Sequence, residues 1–144
     1  MSPYFEQKIL AASPVELVCL LYKHAIHCIR DAREHLRCKR ILERSQAITT
    51  AWNILAELSA SLDNEACPEV AQRLRALYAY MQERIIYANM AQKDEPLMEA
   101  LGLLATLEEA WDTIHRQQMA AIEAPPLWHA TPAEVAPLRF AISA

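Results

Sequence analysis

Apolar residues recur at intervals of three and four along most of the chain, the spacing of one face of an α-helix. From Pro14 to about residue 37, Leu17, Leu21, Ala25, Cys28, Ala32 and Leu36 make one stripe. Val18, Leu20, Tyr22, Ile26 and Ile29 widen the arc beyond it. A second stripe, from about residue 40 to 62, passes through Ile48, Trp52, Leu55, Leu58 and Leu62. A third opens at Pro68 and carries Val70, Leu74, Leu77, Met81 and Ile85, with Tyr80, Ile86 and Tyr87 lying off it. The fourth runs through Leu97, Leu101, Leu104, Leu107, Trp111 and Ile114 to about residue 122. A short amphipathic segment at residues 4–12 precedes them all.

Local stop and start signals divide these stripes. Ser13-Pro14-Val15-Glu16 predicts a capping box, in which the serine hydroxyl and the glutamate carboxylate each take a backbone N–H, with proline at the first helical position. Arg30, Arg33 and Arg37 end the first helix with positive charge that complements its dipole. Asp63-Asn64-Glu65-Ala66-Cys67-Pro68 is the second break and Asp94-Glu95-Pro96 the third, with Asp94 as a candidate N-cap. The expectation is an all-α fold: an antiparallel bundle of four long helices with a short N-terminal helix and an irregular, proline-bearing C-terminal tail. The bundle occupies residues 1–123 and the tail 124–144. That tail holds four of the eight prolines yet keeps Leu127, Trp128, Val135, Leu138, Phe140 and Ile142. Thr131-Pro132-Ala133-Glu134 repeats the capping box and predicts one short helical turn there.

Composition narrows the possibilities. The chain has 144 residues, 53% of them hydrophobic, and one glycine. It can bury a core without metal or disulfide staples, and a lone glycine argues against phosphate-cradling loops and dinucleotide folds. A net charge of −4 gives no pull toward nucleic acid. No secretory signal and no apolar run long enough to cross a bilayer is present, so the reading is cytoplasmic, without membrane insertion. Cys19, Cys28, Cys38 and Cys67 form no C-x-x-C pair and read as reduced thiols.

Candidate chemistry is sparse. Neither a nucleophile elbow nor a zinc-protease motif occurs, and no Glu-x-x-His pairs sit where a di-iron bundle needs them. His24, His27 and Cys28 are the best metal hint, but zinc needs three or four converging ligands, and a surface histidine pair beside a buried cysteine explains them as well. No cofactor is expected. Arg30, Arg33, Arg37, Lys39, Arg40 and Arg44 cluster about the first turn among Asp31, Glu34 and Glu43, which reads as a solvated helix end or a docking spot for an acidic partner. The informative feature is surplus apolar surface: either the wide arc of a helix touching two neighbours, or grooves that receive a partner helix.

The ordered motifs resemble those of the flagellar secretion chaperone family FliS. They are Tyr4; Ala12-Ser13-Pro14-Val15-Glu16-Leu17 with Leu21-Tyr22 and Ala25; Ile54-Leu55-Ala56-Glu57-Leu58 with Ser61-Leu62-Asp63; Leu74-Arg75-Ala76-Leu77-Tyr78-Ala79-Tyr80-Met81 with Ala88-Asn89; and Ala110-Trp111. The second inter-helix connection departs from the glycine-bearing form common in that family. The resemblance implies a non-enzymatic bundle that binds the disordered C-terminal segment of flagellin in the cytoplasm, prevents premature polymerisation and aids flagellar type III export. It also implies an N-terminal segment lying over part of the client groove, here Tyr4, Ile9 and Leu10. Groove candidates are Leu17, Leu21, Tyr22, Leu58, Tyr78, Met81, Ile85 and Asn89, with plain core packing as the alternative for Leu21, Tyr78 and Met81. An export-gate component or an anti-sigma regulator are further partners by the same resemblance. The tail, through Trp128, Leu138 and Phe140, is expected to fold over a groove as a client mimic. The competing reading is a small helical regulatory or assembly protein that dimerises through the same surface; monomer and homodimer both remain open.

Overall fold

The computed structural model describes residues 13–123, which form four helices: α1 (Pro14–Arg37), α2 (Ile41–Ala60), α3 (Pro68–Ala91) and α4 (Glu95–Glu123). The expected helix at residues 4–12 and the tail at 124–144, with its second capping box, lie outside the described residues. Helices α1 and α3 each pack against both α2 and α4, giving an up-down-up-down, all-α bundle. Of these four pairs, contact is most extensive between α1 and α2 and least between α3 and α4.

Each turn has a local cause. Ser13 Oγ accepts from the Glu16 N–H and the Ser13 N–H donates to the Glu16 carboxylate, both at 3.2 Å, so the capping box is complete. With no glycine at either place, the reversals after α1 and α3 use Lys39 and Gln92 in left-handed conformations, at φ 60° and 56°. The second connection closes without glycine as well: Asp63 Oδ1 accepts from the N–H groups of Glu65 at 2.9 Å and Ala66 at 3.2 Å. Asp94 precedes α4 as expected and its carbonyl accepts from Met98. Both oxygens of its carboxylate accept from Arg33, at 2.7 and 3.0 Å, tying α1 to the start of α4.

Several expected stripes are rotated. In α1 the buried face is Val15, Val18, Cys19, Tyr22, Ala25, Ile26, Cys28, Ile29 and Ala32, whereas Leu17, Leu21 and Leu36 are only partly covered. The residues that widened the arc are mostly core because α1 has two neighbours, and the leucines assigned to the stripe lie at its margin. Trp52, expected in the core of α2, is exposed; Ala51 and Leu55 are buried beside it. In α3 the core is Ala71, Tyr78, Met81, Ile85 and Ala88, while Val70, Leu74 and Leu77 stay half-covered. Tyr80, Ile86 and Tyr87 are exposed, as their place off the stripe required.

Candidate functional site

The centre of the bundle holds a polar contact between aromatic residues far apart in sequence. Tyr22 of α1 and Tyr78 of α3 share a hydrogen bond between hydroxyls, and Trp111 of α4 donates its indole N–H to the Tyr22 hydroxyl at 3.1 Å. All three are buried, with ring centroids 6.4 Å apart for the tyrosines and 6.3 Å for Tyr22 and Trp111. Burial raises the pKa of both phenols, so they stay neutral. A buried hydroxyl without a partner is expensive, and this arrangement therefore fixes the register of α1, α3 and α4.

These residues carry much of the family resemblance, and they are scaffold in position. Of the candidate groove residues, Tyr22, Leu58, Tyr78, Met81 and Ile85 are all buried, at 1% exposure or less. Leu17 and Leu21 remain partly accessible on α1. Asn89 is engaged inside the bundle: its Oδ1 accepts from Arg44 Nε at 2.8 Å and its backbone carbonyl accepts from Arg44 Nη2 at 3.3 Å. Arg44 is a buried guanidinium with no carboxylate partner among the described residues, set where α3 ends and its dipole is negative. Tyr4, Ile9 and Leu10 lie outside the described residues.

The accessible apolar surface flanks α3 on both sides. Toward α4, Tyr80 donates to Glu99, and Arg84 Nε lies 3.4 Å from the same carboxylate. Those contacts set the antiparallel register, which carries Leu77 near the level of Leu103 and Leu74 near that of Leu107. Glu99, Leu103, Leu107 and Ile114 share one stripe of α4; Arg84, Tyr80, Leu77 and Leu74 share one of α3. The five aliphatic side chains are half-covered and border the core. The result is an apolar seam with a polar closure at one end, along the least extensively packed helix pair.

Toward α2, Ser45 pairs with Asn89 and the Gln82 amide donates to the Trp52 carbonyl at 3.2 Å. Two turns along α2 thus match two turns back along α3, placing Ile86 between these contacts and Met90 beside the first. Ile41 and Met90, 60% and 78% exposed, continue this second face toward the opposite end of the bundle. A clue to both faces was present in the sequence as more large apolar residues on α3 and α4 than one stripe can hold; Leu103, outside every expected stripe, was missed.

The basic cluster borders an open depression of about 580 Å³, lined by Arg30, Arg33, Arg37, Glu34, Leu36 and Asp94 among others. Arg33 is paired with Asp94 and Arg37 with Glu34, so two of the three arginines lining the depression are locally neutralised. Burial and the neighbouring His27 lower the pKa of His24, while His27 Nε2 sits 3.3 Å from Asp31. Among the described residues no three His, Cys, Asp or Glu side chains converge as metal ligands. No helix there is long and apolar enough to cross a membrane.

Comparison with known proteins gives this geometry its context. Residues 1–118 match the family model described as flagellar protein FliS. The chain is 34% identical over 110 residues to the flagellar secretion chaperone FliS of Salmonella typhimurium strain LT2, covering 76% of this chain and 82% of that protein. It is 31% identical over 109 residues to the flagellar secretion chaperone FliSB of Pseudomonas aeruginosa, covering 76% and 86% respectively. The corresponding figures for FliS of Bacillus subtilis strain 168 are 27% over 108 residues, 75% and 80%. An all-α bundle whose scaffold residues carry the family motifs, matched over most of its length, belongs to the FliS family of flagellar proteins.

Proposed function

We propose that the protein is a cytoplasmic, non-enzymatic export chaperone that holds the disordered C-terminal segment of flagellin until it reaches the flagellar export machinery. The observation that carries this reading is the α3/α4 seam, where Leu74, Leu77, Leu103, Leu107 and Ile114 stay half-covered beside a fully packed core. A disordered segment that folds on binding can cover such a seam with one apolar helix face, and its ordering cost keeps the complex releasable. In this reading Leu17 and Leu21 are additional contacts. Tyr22, Leu58, Tyr78, Met81 and Ile85 support the seam from beneath, Asn89 fixes the end of α3, and Tyr4, Ile9 and Leu10 form a displaceable cover over the part of the client site beside Leu17 and Leu21. An export-gate component or an anti-sigma regulator would use another face.

Titration calorimetry with a peptide spanning the C-terminal segment of the organism's own flagellin tests the proposal. Stoichiometric binding with a negative heat-capacity change is expected, weakened at least tenfold by Leu77→Gln/Leu103→Gln in a protein that keeps its circular dichroism. Equal binding by that variant would remove the seam from the site. The exposed α2/α3 face, with Ile41, Trp52, Ile86 and Met90, favours a second reading as a dimerising regulator. Mass that rises with concentration, without any peptide binding, would select it.

A further inference from the structure

The tail at residues 124–144 begins where α4 ends, beyond the 1–118 stretch that matches the family model. It is built of large apolar groups, with Glu134 and Arg139 as its only acidic and basic side chains apart from His129. Pro125 and Pro126 lack the N–H groups that would extend the hydrogen-bond ladder of α4. Near its C-terminal end α4 exposes Met119 and Ile122, and its flank further back is half-covered. Ile114, Leu107 and Leu103 lead back from that end along the seam with α3.

Lengths and patterns agree. Leu107 lies about 24 Å back along α4 from Glu123 at about 1.5 Å per residue. Residues 124–131 span roughly 26 Å when extended. Pro137 then forbids a helix running past the short turn that Thr131-Pro132-Ala133-Glu134 would open. Beyond it Leu138, Phe140 and Ile142 alternate with Arg139 and Ala141, the pattern of an extended strand with one apolar side. Five extended residues cover about 16 Å, the same as the run from Leu103 to Ile114 at helical rise. The α2/α3 face is a poorer fit, because Ile41 and Met90 stand at the opposite end of the bundle.

We infer that residues 124–144 dock on the α3/α4 seam of the same molecule, with Leu138, Phe140 and Ile142 covering Leu74, Leu77 and the run of α4 from Leu103 through Leu107 to Ile114. Insofar as the seam is also the client site, which rests on the function proposed above, the tail is a built-in competitor. Its local concentration, in the millimolar range for a short tether, is enough to raise the apparent Kd of a client several-fold.

The test compares the full chain with its Leu138→Glu/Phe140→Glu variant by hydrogen exchange, at a concentration where both are monomeric. Exchange at residues 70–78 and 103–114 should become several-fold faster in the variant, with residues 18–29 and 48–58 unchanged. A chain ending at residue 123 should reproduce that pattern. Equal exchange in all proteins overturns the proposal. A change confined to residues 41–52 and 86–90 overturns it too, and so does protection that depends on protein concentration, which would make a second copy the occupant. A flagellin C-terminal peptide should bind the variant about three- to tenfold more tightly. If exchange responds but no peptide binds either protein, the tail contact stands and the client assignment falls.

Discussion

Replacing Tyr22 with Phe removes one oxygen atom that two partners share. Trp111 Nε1 donates to that hydroxyl at 3.1 Å and the Tyr78 hydroxyl shares its other hydrogen bond. All three side chains are at 5% exposure or less, so water cannot substitute. An orphaned buried polar group costs about 1–3 kcal/mol, which puts Tyr22→Phe at about 2–4 kcal/mol. Tyr78→Phe strands only one side of the Tyr22 hydroxyl, which keeps its bond from Trp111, and should cost about 1–2 kcal/mol. In the double variant both hydroxyls are gone together, so neither is left facing the other's absence. Its cost therefore falls below the sum of the single changes, with a coupling of about 1–2 kcal/mol.

Urea unfolding followed by far-ultraviolet circular dichroism measures all three changes through the midpoint, provided the slope is constant. Strict additivity, or a Tyr22→Phe cost under about 0.5 kcal/mol, would refute the shared network. The same variants separate scaffold from contact. Buried hydroxyls acting as scaffold should lower stability and leave the affinity for a flagellin peptide within about twofold. Lost affinity at unchanged stability would instead make Tyr22 and Tyr78 client contacts.

Ser13→Ala removes the hydroxyl that accepts from the Glu16 N–H, leaving only the backbone bond from Ser13 to the Glu16 carboxylate, and should lower stability by about 1 kcal/mol in the same assay, without altering peptide affinity. Gly102 is exposed within α4 and an added Cβ would meet nothing within 4 Å, so Gly102→Ala should raise stability by about 0.5–1 kcal/mol. Asn89→Ala leaves the buried Arg44 guanidinium without its side-chain acceptor and should cost about 2–4 kcal/mol, more than Arg44→Met, which removes the charge as well. Burial pushes the thiols of Cys19 and Cys28 up to about 11 from the ordinary 9.0. The unfolded chain therefore ionises first: their contribution is whole below pH 9 and lost as pH rises from 9 to 11. Cys19→Ala/Cys28→Ala should flatten that alkaline loss by about 1–2 kcal/mol per thiol, measured as the difference between unfolding free energies at pH 8 and pH 10.5. An alkaline slope equal to the parent's would show that the thiols do not contribute.

What was legible in the sequence was local. Ser13 and Glu16 find each other within one turn, and Pro14 and Pro68 mark helix starts that any neighbour would leave in place. Rotation of each helix was not legible, because which arc faces inward depends on how many helices surround it. Leu17 and Leu21 obey the stripe spacing as well as Val18 and Tyr22 do, yet it is the second pair that is buried. Trp52 matched its stripe in spacing, but α2 turns it outward beside Gln82. The tyrosine and tryptophan contact joins positions 56 and 89 residues apart, beyond the reach of periodicity. Its one sequence signal was polar-tipped aromatics placed within otherwise apolar stretches, the kind that need partners when buried.

The difference between the helix pairs explains why the bundle can be complete and still have an unfilled seam. The pair with the most extensive contact, α1 and α2, fully buries Ala25 and Ala32 on one helix and Ala51 on the other, and small side chains let helix axes come close. Where α3 meets α4, leucines meet leucines near Leu74 and Leu107, and the long side chains of Tyr80, Arg84 and Glu99 bridge the far end. Larger residues hold axes further apart, so the outer halves of these leucines stay in contact with water. Each square ångström left uncovered forgoes about 25 cal/mol, and a segment laid into the seam recovers that without disturbing the core. The core that holds α3 in place is supplied elsewhere, by Tyr78, Met81 and Ile85 packed inward and by Asn89 bonded to Arg44. Closing the seam with smaller, tighter residues would add helix contact while removing the surface a client needs, the trade expected where stability and function draw on the same side chains.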